Sequence, residues 1–139
     1  MKRVFLSFAP QDAHKVQRLL PELATTDFEL DFFDGPQDLD FDSQDAAPLR
    51  QAIGEKISKC SIAVCLITEN THKSKWVDCQ LEKSRHKGNR IIAMALPGIK
   101  LAVLPQVIRE ENAKFYPWNP SRLAGLILEE KTNIFNNSL

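Results

Sequence analysis

Trp76 and Gln80 stand four residues apart in the run Ser74-Lys75-Trp76-Val77-Asp78-Cys79-Gln80-Leu81-Glu82. On a helix that spacing places one side chain above the other, so an aromatic ring and an amide can border the same small pocket. The chemistry open to such a pair is recognition: the indole can stack on a ring, and the amide can accept a hydrogen bond. Glu82 cannot join them, because two further positions turn it by roughly 200° to the far side. Spacing alone favours a plainer arrangement, with Trp76 packing the helix onto a sheet and Gln80 a surface amide.

Other site chemistries find little support. His14, His72 and His86 are scattered, so neither a metal cluster nor a Ser/His/Asp triad can be assembled from them. Cys60, Cys65 and Cys79 are odd in number and lack C-x-x-C spacing, which fits structural thiols in a reducing compartment and argues against zinc. The five glycines are isolated and form neither a G-x-G-x-x-G nor a Walker loop. From Asp27 to Asp45 the chain carries eight acidic residues and no lysine or arginine. Asp38, Asp40 and Asp42 imitate the start of a calcium loop, but Ser43 stands where glycine is required and Leu49 where the bidentate glutamate is required. A solvated acidic loop is expected, with no metal and no tightly bound cofactor.

A chain of 139 residues, 43% hydrophobic and 26% charged, has the size and composition of one folded domain with a real core. Zero formal net charge argues against a nucleic-acid binder, which would normally carry a basic excess. The apolar run after Met1-Lys2-Arg3 stops at Pro10, too short for a signal peptide, and no stretch approaches the ~18 residues that span a bilayer. A cytoplasmic protein without a membrane partner is expected. Lys73, Lys75, Lys83, Arg85, Lys87 and Arg90 make the Trp76 helix basic, opposite in sign to the acidic loop. Neighbouring copies could associate head to tail through these two features, weakening as salt rises.

The elements that must position these residues follow from periodicity. Val4–Phe8 reads as a buried first strand, with Asp12 an N-cap for a helix carrying Val16, Leu19, Leu20 and Leu23 that Pro21 should end or kink. Phe28–Phe33 reads as a second strand closed by Asp34-Gly35-Pro36, and Leu49 to about Cys60 as a helix. Ser61–Ile67 is continuously apolar, as expected for a central strand buried on both faces. A helix from Lys75 to Lys87 stops at Gly88-Asn89, before a strand from Arg90 to Leu96. A short helix over Leu101–Val107, a strand over Ala113–Tyr116, and a helix over Ser121–Glu130 capped by Asn119 or Ser121 complete the domain. Residues 131–139 are expected to form a flexible tail. Strands alternating with helices imply a parallel sheet with ligands outside the carboxyl ends of the strands, where Phe8, Asp34 and Thr68 lie. A receiver-type phosphoacceptor would need carboxylates at the first and third strand ends, where this chain has Phe8 and Thr68.

Val4-Phe5-Leu6-Ser7-Phe8 followed by Asp12, then Leu66-Ile67-Thr68, then Lys75-Trp76-Val77 followed by Lys87-Gly88-Asn89-Arg90-Ile91-Ile92, together resemble the TIR-like domains of the bacterial Thoeris antiphage system. The resemblance is clearest from residue 2 to about residue 96. It implies a flavodoxin-like α/β fold, a five-stranded parallel sheet of order 2-1-3-4-5 with helices on both faces, in a single domain over residues 1–130. It also implies a pocket that takes NAD as substrate, cleaves the nicotinamide–ribose bond and makes a cyclic or conjugated ADP-ribose signal for a partner effector. By this resemblance Ser7, Phe8 and Ala9 line one side of the pocket, Asp34 and Thr68 stand at strand ends, and Trp76 with Gln80 forms the facing helix.

The family's catalytic glutamate lies four residues after the helix tryptophan, which is Gln80 here. A carboxylate there would hold the ribose hydroxyls and face the positive charge that grows on the sugar as nicotinamide leaves. Glutamine keeps the shape and loses the charge. At ~5 Å and an effective dielectric of ~20 the missing attraction is about 3 kcal/mol, roughly a hundredfold in rate. Binding can survive the change. Gln80 is then either the native residue of a binding relative or a replacement that traps a ligand, and the intact surroundings favour replacement. The competing class is a non-enzymatic interaction or scaffolding module that self-associates or docks a partner.

Overall fold

The computed structural model describes residues 1–35 and 39–129. Its strands are β1 (Lys2–Ser7), β2 (Phe28–Phe32), β3 (Ile62–Ile67), β4 (Arg90–Ala95) and β5 (Phe115–Tyr116), and its helices α1 (Ala13–Leu23), α2 (Ala47–Ser58), α3 (Lys75–Lys87), α4 (Gln106–Glu110) and α5 (Pro120–Leu128). The strands form one parallel sheet in the order β2-β1-β3-β4-β5. The topology is the one the family resemblance implies.

Side-chain alternation along each strand divides the core between two layers. Val4, Leu6 and Phe8 face Val16 and Leu23 of α1 and Leu123 and Ile127 of α5. On the opposite face, Cys65 and Ile67 meet Val77 and Leu81 of α3 and Ile108 of α4, while Phe5 meets Ile53 and Ile57 of α2 together with Trp76. Every residue of β3 is buried, as its unbroken apolar run predicts.

Several boundaries move for identifiable reasons. α1 passes through Pro21 to Leu23: the proline falls in its last turn, where its missing N–H deprives only the Gln17 carbonyl of a donor, and the Ala24 N–H still bonds the Leu20 carbonyl. Residues 101–105 are irregular rather than helical, and α4 starts only after Pro105. α5 begins at Pro120, with the Asn119 side chain accepting from Arg122 N at 3.0 Å, and ends at Leu128 rather than Glu130. Lys2 Nζ and Arg90 Nη1 donate to the Ile127 and Leu126 carbonyls at 2.9 and 2.5 Å, satisfying last-turn acceptors from the amino ends of β1 and β4. The expected tail, the turn residue Pro36 and the acidic Asp38 lie outside the described residues. Among the described residues no helix is long and apolar enough to cross a membrane.

Candidate functional site

α3 is fixed at both ends. Ser74 Oγ accepts from Val77 N at 3.2 Å, and Gly88 adopts φ +87° while Asn89 N returns to the Ser84 carbonyl at 3.0 Å. Between these caps Trp76 and Gln80 share the face turned toward β1 and β2. Gln80 is 4% exposed, so it is not a surface amide. Its Oε1 accepts a 2.6 Å hydrogen bond from Ser7 Oγ, at the carboxyl end of β1. Ser7 reaches it because strand alternation places residues 5 and 7 on the same side of the sheet, toward α2 and α3.

A cavity of about 20 Å³ lies beside this pair, bordered by Phe8, Pro10, Ala13, Phe33, Asp34, Gly35, Trp76 and Gln80. That is room for about one water molecule. Of the residues expected at the site, Phe8, Asp34, Trp76 and Gln80 border the cavity, and Ser7 reaches it through Gln80. Ala9 does not; it packs in the α3–α4 core layer. Thr68 does not border it either, because its hydroxyl donates to Asp12 Oδ2 at 2.6 Å.

Trp76 does not offer an open ring. Phe33 stacks on it with centroids 5.8 Å apart, Phe41 meets it edge-on at 4.9 Å, and its Nε1 donates to the Leu39 carbonyl at 3.3 Å. Phe8 is also buried, tilted against Phe32 with centroids 6.0 Å apart. The rim is tight: a Cβ on Gly35 would stand 2.1 Å from Phe33 Cε2, so a larger residue there would have to displace that ring. Sequence reasoning missed Pro10, Ala13, Phe33 and Gly35 as cavity residues; the Pro10 and Gly35 turns beside two strand ends were the available signal.

Asp12, expected as an N-cap, makes no side-chain cap bond. It is 1% exposed and accepts instead from Thr68 Oγ1 and, at 3.1 Å, from Asn70 Nδ2. This joins the loop after β1, which borders the cavity, to the loop after β3. Lys75 pairs with Asp42, whose hydrogen bond and charge hold the ammonium pKa above its ordinary range. The basic helix and the acidic loop therefore meet within one chain. A larger concavity of about 560 Å³ between α2 and α3, lined by Gly54, Ile57, Lys83 and Lys87 among others, includes none of the expected site residues.

The fold is shared with solved structures. The CMP N-glycosidase BcmB of Clostridium botulinum is similar with a TM-score of 0.58 at 17% identity, over 91% of this chain and 100% of that one. The TIR domain of the Toll-related receptor TRR-2 from Hydra magnipapillata is similar with a TM-score of 0.58 at 14% identity, over 96% of this chain and 95% of that one. No curated protein matches the chain in sequence. The family described as "Thoeris protein ThsB, TIR-like domain" matches residues 5–100, which include every residue bordering the cavity. With that match spanning most of its length, the chain belongs to the TIR-like domain family of the Thoeris protein ThsB.

Proposed function

We propose that this chain is a cytoplasmic TIR-like protein of antiphage immunity. Its parent reaction cleaves the nicotinamide–ribose bond of NAD and makes a cyclic or conjugated ADP-ribose signal for a partner effector. The observation that carries the reading is Gln80: a buried amide, held by Ser7 beside an aromatic-walled cavity at the carboxyl ends of the strands. It occupies the helical position that the resemblance gives to the family's catalytic glutamate. The similarity in fold to a CMP N-glycosidase supports the reading in one respect, since this architecture can house cleavage of a base–ribose bond.

In this mechanism the protein supplies orientation and charge. Ser7 holds residue 80 in place, the rings of Phe8 and Phe33 exclude water, and Asp34 adds an acidic group at the rim. Positive charge develops on the ribose as nicotinamide leaves, and a carboxylate at position 80 would stabilise it. Gln80 removes that attraction, so turnover in this chain is low. NAD entry also displaces the rim at Phe33 to Gly35, because the cavity holds only about one water.

The small cavity and the covered Trp76 ring favour one second reading, a non-enzymatic interaction module. Incubating NAD with this protein and with Gln80→Glu, and following nicotinamide release, separates the two. The enzyme reading expects release from the variant to exceed the parent by roughly a hundredfold. Silence in both, with phage-derived activator present, favours the module.

A further inference from the structure

We propose that Ser7 is a positioning residue that sets the hydrogen-bond polarity of the cavity, so that Gln80 meets a ligand as a donor through Nε2 and the site engages an acceptor atom of that ligand. Such an acceptor is a carbonyl, a ring nitrogen or a phosphate oxygen. The proposal rests on the reading of the cavity as an NAD site and adds which kind of atom residue 80 contacts.

The Ser7 Oγ to Gln80 Oε1 contact of 2.6 Å lies in the range of O–H···O bonds, and an amide oxygen carries no hydrogen to give. The hydroxyl therefore donates to the amide oxygen. Turning the amide over would take the acceptor away from a fully buried hydroxyl and leave its proton without a partner. Among the described residues the Ser7 hydroxyl forms no other hydrogen bond and the Gln80 amide has no other partner. One end of the amide is thus occupied, and the end left for a ligand carries two N–H donors and no acceptor.

Glutamate at position 80 would keep the same contact with Ser7 but leave a carboxylate oxygen for the ligand. The two residues differ by one terminal atom, and that atom reverses the polarity of the contact. A carboxylate takes a hydroxyl as donor, whereas the fixed amide cannot. Gln80 in this setting changes which ligand group the pocket holds, in addition to removing a charge.

The experiment is a titration of NAD into uniformly 15N-labelled protein, reading the Gln80 side-chain NH2 resonances, assigned by their loss in Gln80→Glu. Affinity is measured in parallel for the parent and for Ser7→Ala. The expected result is a clear shift of the Gln80 NH2 pair on NAD binding in the parent. In Ser7→Ala that shift falls and NAD binding weakens about fivefold to tenfold, the scale of one positioned hydrogen bond. Ser7→Cys, nearly isosteric and only a weak donor, should fall between the two and serves if the alanine variant does not fold.

NAD binding that moves the backbone signals of Phe8 and Ala13 but leaves the Gln80 NH2 pair in place overturns the donor assignment while sparing the NAD reading. Unchanged shift and affinity in the Ser7 variants overturns the positioning role. Absence of NAD binding to both the parent and Gln80→Glu overturns the NAD reading and this proposal with it.

Discussion

The Thr68 hydroxyl donates a 2.6 Å hydrogen bond to Asp12 Oδ2, joining residues 56 positions apart in the chain. Asn70 Nδ2 bonds the other carboxylate oxygen at 3.1 Å, so one buried side chain clamps the loops that follow the adjacent strands β1 and β3. The cavity residues Phe8, Pro10 and Ala13 flank one end of that clamp. Asp12→Ala leaves two donors without their acceptor and should destabilise the domain by about 2–4 kcal/mol, with Asp12→Asn retaining part of the loss. Urea unfolding at neutral pH measures it, and equal midpoints for alanine variant and parent would show that the clamp holds nothing.

Trp76 is a core residue first. Its indole is 7% exposed, covered by Phe33 and Phe41, and bonded to the Leu39 carbonyl. Trp76→Ala should cost about 3–5 kcal/mol, and Trp76→Phe less, because a ring remains for Phe33 to stack on. Denaturant unfolding of both variants checks the order; a fully stable Trp76→Ala would mark the indole as a surface platform instead.

The cysteines should differ in reactivity. Burial raises the Cys65 thiol well above its ordinary pKa, and burial, followed by the charge of Asp31, raises Cys60 to about 11. Cys79 is also raised by burial but is partly exposed. Higher pKa means less thiolate at pH 8, so alkylation of the native protein should mark Cys79 first and leave Cys65 unmodified until unfolding. Peptide mapping after a short iodoacetamide treatment reads this directly, and early labelling of Cys65 would contradict the packing of β3.

Glu110 offers a test by pH. The Arg85 guanidinium donates to it at 2.8 Å and, with Gln106, holds its carboxyl below the ordinary value of 4.5. A depressed folded pKa contributes stability above pH 4.5 that is lost as pH falls through the folded value. Glu110→Gln should therefore melt slightly below the parent at pH 7 and converge with it in acid, and added salt should narrow the gap. The effect is small because the pair is exposed to solvent. A difference that persists unchanged in acid would assign it to packing.

Much of the fold is legible in residue order. The apolar run Ile62–Ile67, the Ser74 and Gly88 ends of α3, and the alternation of strands with helices reflect local rules of burial, capping and backbone geometry. These rules act within a few residues, so one chain read alone carries them. Pro21 and Pro105 show their limit, since the effect of a proline depends on where the helix around it begins and ends.

The site was legible only in part. Sequence spacing put Trp76 and Gln80 on one face of α3, and the resemblance named half of the cavity border, Phe8, Asp34, Trp76 and Gln80. Whether Gln80 is a solvated amide or a buried one depends on Ser7, 73 positions away, and sequence spacing cannot bring the two together. The same holds for Asp12, which local rules read as a cap and which packing assigns to Thr68 and Asn70. Residue order determined the strands, the helices and the faces they bury, because backbone periodicity and apolar patterning are local. Tertiary structure alone decided which polar atoms pair in the interior, because a buried donor takes the acceptor that packing brings within about 3 Å, however distant in sequence.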